Sequence, residues 1–249
     1  MSSPTTTRTL QVCRNCGGGA PVDVHFCPQC SQILTIGRHG DYFAFLGVPR
    51  KLNLNPTDLE QRFRALSRQF HPDYFYNATP NERRASLERS SYLNDAYRTL
   101  KNPIARVEYL LGLEGFSARP PGNDVNNVNN VNDGNDPDPD PDNHAAAKVP
   151  AALLEEVFAL NEELDEVRGL RTSGAAPEVW RAKLERARAP IEAKQAVHEA
   201  ELTELSARWD ALGADGPERT SILSALRERV LERNYINNLL EGIERELNA

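Results

Sequence analysis

The sequence predicts an all-α protein carrying a small metal knuckle near its N-terminal end. Three observations predict it. Apolar residues recur at helical spacing from residue 41 to 111 and again from 150 to 247. All four cysteines of the 249-residue chain fall in one short window. Between the two helical regions lies a stretch dominated by Asn, Asp and Pro, with too little apolar surface to offset the entropy of ordering it. The expected order is a flexible N-terminus at 1–12, a four-cysteine zinc knuckle at 13–34, a helical hairpin at 41–116, a disordered acidic linker at 117–148 and a three-helix bundle at 149–249.

The cysteines are spaced Cys13-x2-Cys16 and Cys27-x2-Cys30. Each pair forms a knuckle with both sulfurs on one side, and two knuckles complete a tetrahedral four-sulfur site. Gly17, Gly18 and Gly19 supply the backbone freedom such a turn needs. A segment this short has no core of its own, so the metal would supply its folding energy. Structural Zn2+ is the expected occupant. Iron at the four thiolates and two disulfides are the alternatives. His25 is surplus to a four-sulfur set and is expected at the surface.

The hairpin region reads as a run of helices with explicit start and stop signals. Asp41 to Gly47 is a short amphipathic helix stopped by glycine. Asn55-Pro56 provides an N-cap and a first-turn proline, and Leu59, Phe63, Leu66 and Phe70 follow as one apolar stripe. Arg64 and Arg68 fall on the opposite, solvated face. Thr79-Pro-Asn-Glu82 is a capping box opening a second helix, with Leu87, Leu93, Tyr97 and Leu100 as its core contacts. Asn102-Pro103 starts a third helix, Ile104 to Leu111, with Gly112 as its stop. His71-Pro72-Asp73 occupies the loop between the two long helices. The proline stiffens that loop, and a carboxylate held at its tip can pair bidentately with a partner's arginine. A basic helix face beside it would steer toward an acidic surface.

Three amphipathic helices are expected after the linker, at about 150–169, 176–212 and 217–247, with Pro190 kinking or interrupting the second. The tryptophans and His198 are read as core residues. On the first of these helices Leu154 and Phe158 stand off the core stripe, at about 100° per residue, and Glu162 extends their row. Such a row suits a partner surface, and equally a wide apolar face wrapped by neighbouring helices. Tyr235 also stands off the core stripe of its helix.

In this frame, His71-Pro72-Asp73 resembles the signature of a J domain, the module that drives ATP hydrolysis by a heat-shock ATPase chaperone. Asp41-Tyr-Phe-x-x-Leu-Gly47, Gln69-Phe-His-Pro-Asp73, Leu93-Asn-Asp-Ala-Tyr97, Leu100-x-x-Pro103 and Arg106-x-Glu-Tyr-Leu-Leu111 resemble the HscB family, the J-domain co-chaperones of iron–sulfur cluster biogenesis. The N-terminal four-cysteine module is similar to that of human-type members. The resemblance implies that His71, Pro72, Asp73, Arg64 and Arg68 dock on the ATPase chaperone. It also implies that the bundle binds the iron–sulfur cluster scaffold protein through Leu154, Glu155, Phe158, Ala159 and Glu162, with Tyr235 as an aromatic contact from the last helix. Glu155 stands where the family has methionine, Ala159 where it has an acid, and the linker is longer than in bacterial relatives.

The implied function is a co-chaperone, not an enzyme. The sequence holds no Ser/His/Asp array, no phosphate-binding glycine loop and no open metal position. The alternative is a general protein-folding J protein with other clients. A nucleic-acid binder is disfavoured by the net charge of −7 and the absence of basic–aromatic clusters. No apolar run approaches the roughly 18 residues of a membrane span. A homodimer is left open. The first 22 residues hold two arginines, six Ser/Thr hydroxyls and no acid. With the resemblance, they suggest the mitochondrial matrix, with the cytoplasm as the other choice.

Overall fold

The computed structural model describes residues 10–22, 24–36, 41–116, 153–212 and 218–248. The expected linker at 117–148 lies outside them, as do residues 1–9 and Pro217. The chain divides into two compact units, Met1–Leu113 and Glu114–Ala249.

In the first unit a two-stranded antiparallel ribbon, β1 (Leu10–Val12) and β2 (Gly19–Pro21), pairs Leu10 with Pro21 and Val12 with Gly19. Residues 10–12, expected in a flexible N-terminus, are thus part of the cysteine module. Helix α1 (Tyr42–Leu46) begins where the Asp41 carboxylate accepts from the Ala44 amide at 2.9 Å. It ends at Gly47, whose φ of 65° is open to glycine at no steric cost. Helix α2 (Pro56–Phe70) is capped by Asn55, which accepts from the Thr57 and Asp58 amides. Helix α3 (Pro80–Lys101) opens with the expected reciprocal capping box of Thr79 and Glu82. In helix α4 (Pro103–Leu113) the Asn102 side chain accepts from the Ile104 and Ala105 amides. Gly112, expected to stop α4, lies inside it. The left-handed residue beyond is Gly115, with φ 79°. A stop needs that backbone conformation, and glycine as a residue type only permits it.

The core of this unit gathers Phe43, Leu46, Leu59, Phe70, Leu93 and Leu100. Each such side chain contributes about 1.5–3 kcal/mol on burial. The Tyr42 ring stacks on Tyr109 at 4.4 Å, and the Tyr42 amide donates to the Tyr109 hydroxyl, which ties α1 to α4. Burial raises the Tyr109 phenol to about 12. Leu87, expected in the core, is 59% exposed. The buried face of α3 runs instead through Ala85, Ser86, Arg89, Leu93, Ala96 and Leu100, and Leu87 is about 200° around the helix from Ala85.

The second unit contains helices α5 (Leu154–Thr172), α6 (Pro177–Ala211) and α7 (Arg219–Asn248). Helix α6 continues through Pro190 without a break. Leu153, Leu160, Val167, Trp180, Leu184, Ile191, Ile236 and Ile243 form the core. The Arg171 guanidinium stacks on the Trp180 ring at 4.1 Å while pairing with Glu246 at 2.8 Å. His198 and Glu232 are both buried, with Nδ1 and Oε2 3.3 Å apart, and Arg229 reaches the same carboxylate at 2.9 Å. Among the described residues no helix is long and apolar enough to cross a membrane.

Burial holds the Glu232 carboxyl above its ordinary value, with Arg229 and His198 opposing that rise. A raised carboxyl contributes stability below its unfolded pKa and loses it as pH climbs through the folded one. Glu232→Gln has no charge to desolvate. Its melting temperature relative to wild type should therefore rise as pH increases from about 4.5, then level off. A gap that is flat with pH, measured by circular dichroism, would contradict this.

Candidate functional site

The cysteine module repeats one turn twice. In the first turn the Cys13 amide donates to Gly18 O and the Gly17 amide to Cys13 O. In the second the Cys27 amide donates to Gln32 O and the Ser31 amide to Cys27 O, each at 2.9 Å. The residue after the second cysteine is left-handed in both, Gly17 at φ 73° and Ser31 at φ 59°. Ser31 adopts a conformation that costs a side-chain-bearing residue energy, so the turn is imposed by its surroundings.

These turns bring Cys13 Sγ within 3.7 Å of Cys30 Sγ, and Cys16 Sγ within 3.7 Å of Cys27 Sγ, all four sulfurs lying within 4.8 Å of one another. A tetrahedron with metal–sulfur bonds of about 2.3 Å has edges of about 3.8 Å. The set therefore fits one four-coordinate ion, and the thiols are not joined as disulfides. The Cys30 thiol is drawn down to about 6, first by the Gln32 backbone and then by the Asn15 side chain. At Cys16 the Gly18 backbone pulls downward, but burial and the other three sulfurs outweigh it and raise the thiol to about 11. A metal must displace that held proton, so affinity should rise with pH. Four protein ligands leave no open position on such an ion.

His25 is not the solitary surface residue expected. Its Nδ1 accepts from Arg89 at 2.8 Å, and its ring meets Phe45 and Phe70 edge-on at 4.9 and 5.0 Å. Arg89 is fully buried and also donates to Leu34 O at 2.5 Å and Thr35 O at 3.4 Å. Burial lowers its guanidinium to about 10, which leaves it charged at neutral pH. A buried cation is tolerable only when its donors are satisfied, and here carbonyls of the cysteine module satisfy them.

His71-Pro72-Asp73 lies where α2 stops. His71 takes the extended backbone that a following proline enforces, with φ −58° and ψ 126°. Pro72–Phe75 then form one 3-10 turn, closed by the Tyr74 amide on His71 O at 3.0 Å. The His71 Nδ1 accepts from the Asp73 amide at 3.3 Å, and the Asp73 carboxylate is 87% exposed. Tyr74 and Tyr76 are exposed beside it, while Phe75 packs inward. Below the turn, Phe70 O accepts from the Ser86 and Ser90 hydroxyls at 2.6 and 3.0 Å. Arg83 donates to Tyr76 O and Ala78 O on the far side. The result is a fixed turn with a solvated negative tip. Arg64 and Arg68 are exposed on α2, with Arg64 paired to Glu60 at 2.6 Å.

On α5, Leu154, Glu155, Phe158, Ala159 and Glu162 are all exposed, with Phe158 at 66% and Leu154 at 40%. Their row is separate from the buried Leu160 and Val167. Tyr235, expected off the core stripe, is half-buried and packs against the bundle core. An aromatic ring is wide enough to reach the core from the margin of a helix face.

Sequence reasoning missed Arg89, Ser86 and Ser90. The available signal was their position, since 86, 89 and 93 share one face of α3. A charged residue within an otherwise apolar stripe implies a buried partner, and the partner here is some 55 residues away.

Residues 41–109 match the family model described as DnaJ domain. Over its length the chain is similar in fold to the human co-chaperone protein HscB, with a TM-score of 0.63 at 23% identity, covering 95% of this chain and 98% of that one. It is also similar to the chaperone HscB from Vibrio cholerae, with a TM-score of 0.51 at 26% identity, covering 83% of this chain and 96% of that one.

Elemental analysis of the full chain should find about one metal ion per molecule, and Cys27→Ser should lose it. Metal-free wild-type protein, prepared under reducing conditions with the ion supplied, would exclude the four-thiolate centre.

Proposed function

We propose that the chain is a J-domain protein of the HscB type, a non-enzymatic co-chaperone of iron–sulfur cluster assembly, a reading supported by the DnaJ-domain match over residues 41–109 and the likeness in fold to two HscB proteins. The observation that carries this reading is the Asp73 carboxylate, solvated at the tip of a turn held from both sides. A carboxylate so prepared loses little entropy on pairing with an arginine of a heat-shock ATPase chaperone. His71 and Pro72 fix the backbone behind it, and Arg64 and Arg68 supply the basic flank that steers encounter. Docking there would favour the hydrolysing state of the chaperone. The bond-breaking groups belong to that partner.

The exposed row on α5 is the scaffold-binding face in this reading. Phe158 and Leu154 supply apolar area to bury, and Glu155 and Glu162 flank it with negative charge. Tyr235 is the candidate aromatic contact from α7. The cargo is the cluster-bearing scaffold protein, handed to the chaperone that the J domain recruits. Zn2+ is the proposed ion at Cys13, Cys16, Cys27 and Cys30, because a saturated tetrahedral thiolate set suits a redox-inert structural metal. Its contribution is folding energy.

Two variants separate the two surfaces. Asp73→Asn should abolish stimulation of chaperone ATP hydrolysis while scaffold affinity stays at the wild-type value. Leu154→Ser with Phe158→Ser should weaken scaffold binding by about thirtyfold or more, from the loss of roughly 1–2 kcal/mol per anchor, and leave basal stimulation intact. Steady-state ATPase assays and isothermal titration calorimetry read these effects. Equal stimulation by Asp73→Asn, or unchanged scaffold affinity in the double variant, would refute the corresponding assignment.

A further inference from the structure

Phe70 connects the cysteine module to the signature turn. It is the last residue of α2, and the next residue is His71. Its ring is fully buried, with His25 edge-on at 5.0 Å and the Arg89 guanidinium over it at 5.7 Å. Its carbonyl is held by Ser86 and Ser90, on the turns of α3 that flank Arg89. The same Arg89 is bound to Leu34 O, Thr35 O and His25 of the cysteine module. One buried side chain thus touches both the metal module and the ring from which the turn departs.

The module also reaches the helical core through Ile33 and Phe26, but its own interior is small. Its own buried cluster is Cys13, Ala20, Cys27 and Leu34, two of which are metal ligands, with a third ligand, Cys30, packed against it. Without the ion the two knuckles would lose their common bond, and with it part of what holds Leu34 O and His25 in place for Arg89. A buried guanidinium deprived of acceptors is costly, and a parting of α3 from the end of α2 that admits water would relieve that cost.

We propose that the metal-loaded cysteine module is a positioning device for the His71-Pro72-Asp73 turn, with Arg89 as the residue that couples them. Metal occupancy then sets the fraction of molecules whose turn is ready to dock. Arg89 meets no partner protein, and it acts through Phe70. This rests on the reading that the turn engages a heat-shock ATPase chaperone. A reduced ready fraction raises the apparent dissociation constant in proportion and leaves the response at saturation unchanged.

The test uses the full chain in three forms: metal-loaded wild type, wild type stripped with chelator under reductant, and metal-loaded Arg89→Leu. Hydrogen exchange is read at the amides within 71–78 (Pro72 has none), and stimulation of a purified heat-shock ATPase chaperone is titrated in parallel. In the stripped and variant forms amides 71–78 should exchange about tenfold faster, with α6 and α7 unaffected. The concentration for half-maximal stimulation should rise by a similar factor while the maximum holds, and Arg89→Lys should recover part of the loss. Unchanged exchange at 71–78 overturns the proposal. So does faster exchange spread evenly over α2 and α3, or faster exchange at the turn with no change in half-saturation. If Arg89→Leu does not fold, the stripped wild type decides by the same criteria. Metal-loaded wild type that gives no stimulation overturns the co-chaperone reading instead, and the exchange comparison still decides whether the module positions the turn.

Discussion

Pro72 has no amide to continue α2, so the helix ends there and its last carbonyls need other donors. The Phe70 carbonyl finds two, the hydroxyls of Ser86 and Ser90 on the facing helix. That pair of hydrogen bonds fixes where α2 stops relative to α3, and hence where the turn between them points. Serine suits the position because its hydroxyl is short and reaches a carbonyl without displacing the apolar neighbours Ala85, Leu93 and Ala96. The exposed Asp73 depends on this buried arrangement. A solvated charge has direction only if the backbone beneath it cannot move.

The same region places a full positive charge in the core. Among the described residues Arg89 makes no salt bridge to a carboxylate. It is solvated by two carbonyls and an imidazole nitrogen, with Phe45 and Phe70 rings at 5.9 and 5.7 Å. Carbonyl oxygens substitute for water around a guanidinium because its five donors lie in one plane and its hydration is weak. This makes the docking of the cysteine module specific. The second unit buries a carboxylate as well, at Glu232, which half-buried Arg229 of the same helix reaches at 2.9 Å while His198 of α6 lies 3.3 Å away.

Helix boundaries were legible because their signals are local. Asn55, Thr79 with Glu82, and Asn102 act on amides two or three residues away, at the helix starts the sequence places there, while Asp41, read as part of its helix, caps it instead. The cysteine spacing was equally readable, since a knuckle closes over a few residues. The HscB-type fold follows from these elements. Leu87 and Gly112 show the limit. Apolar character alone does not say which face of α3 meets a neighbour, and a glycine ends a helix only where the chain turns left-handed.

The sequence by itself determined the helices, the four-sulfur set and the turn carrying Asp73, because caps, knuckles and proline act over short separations. Tertiary structure alone decided that His25 faces inward, that Arg89 is buried, that Tyr235 leans on the bundle core and that the cysteine module rests against the base of the turn. Those outcomes depend on pairs such as Arg89 with Leu34 or Tyr42 with Tyr109, far apart in the chain. A hydrogen bond between distant residues forms only after the helices have packed, and no local pattern encodes its partner.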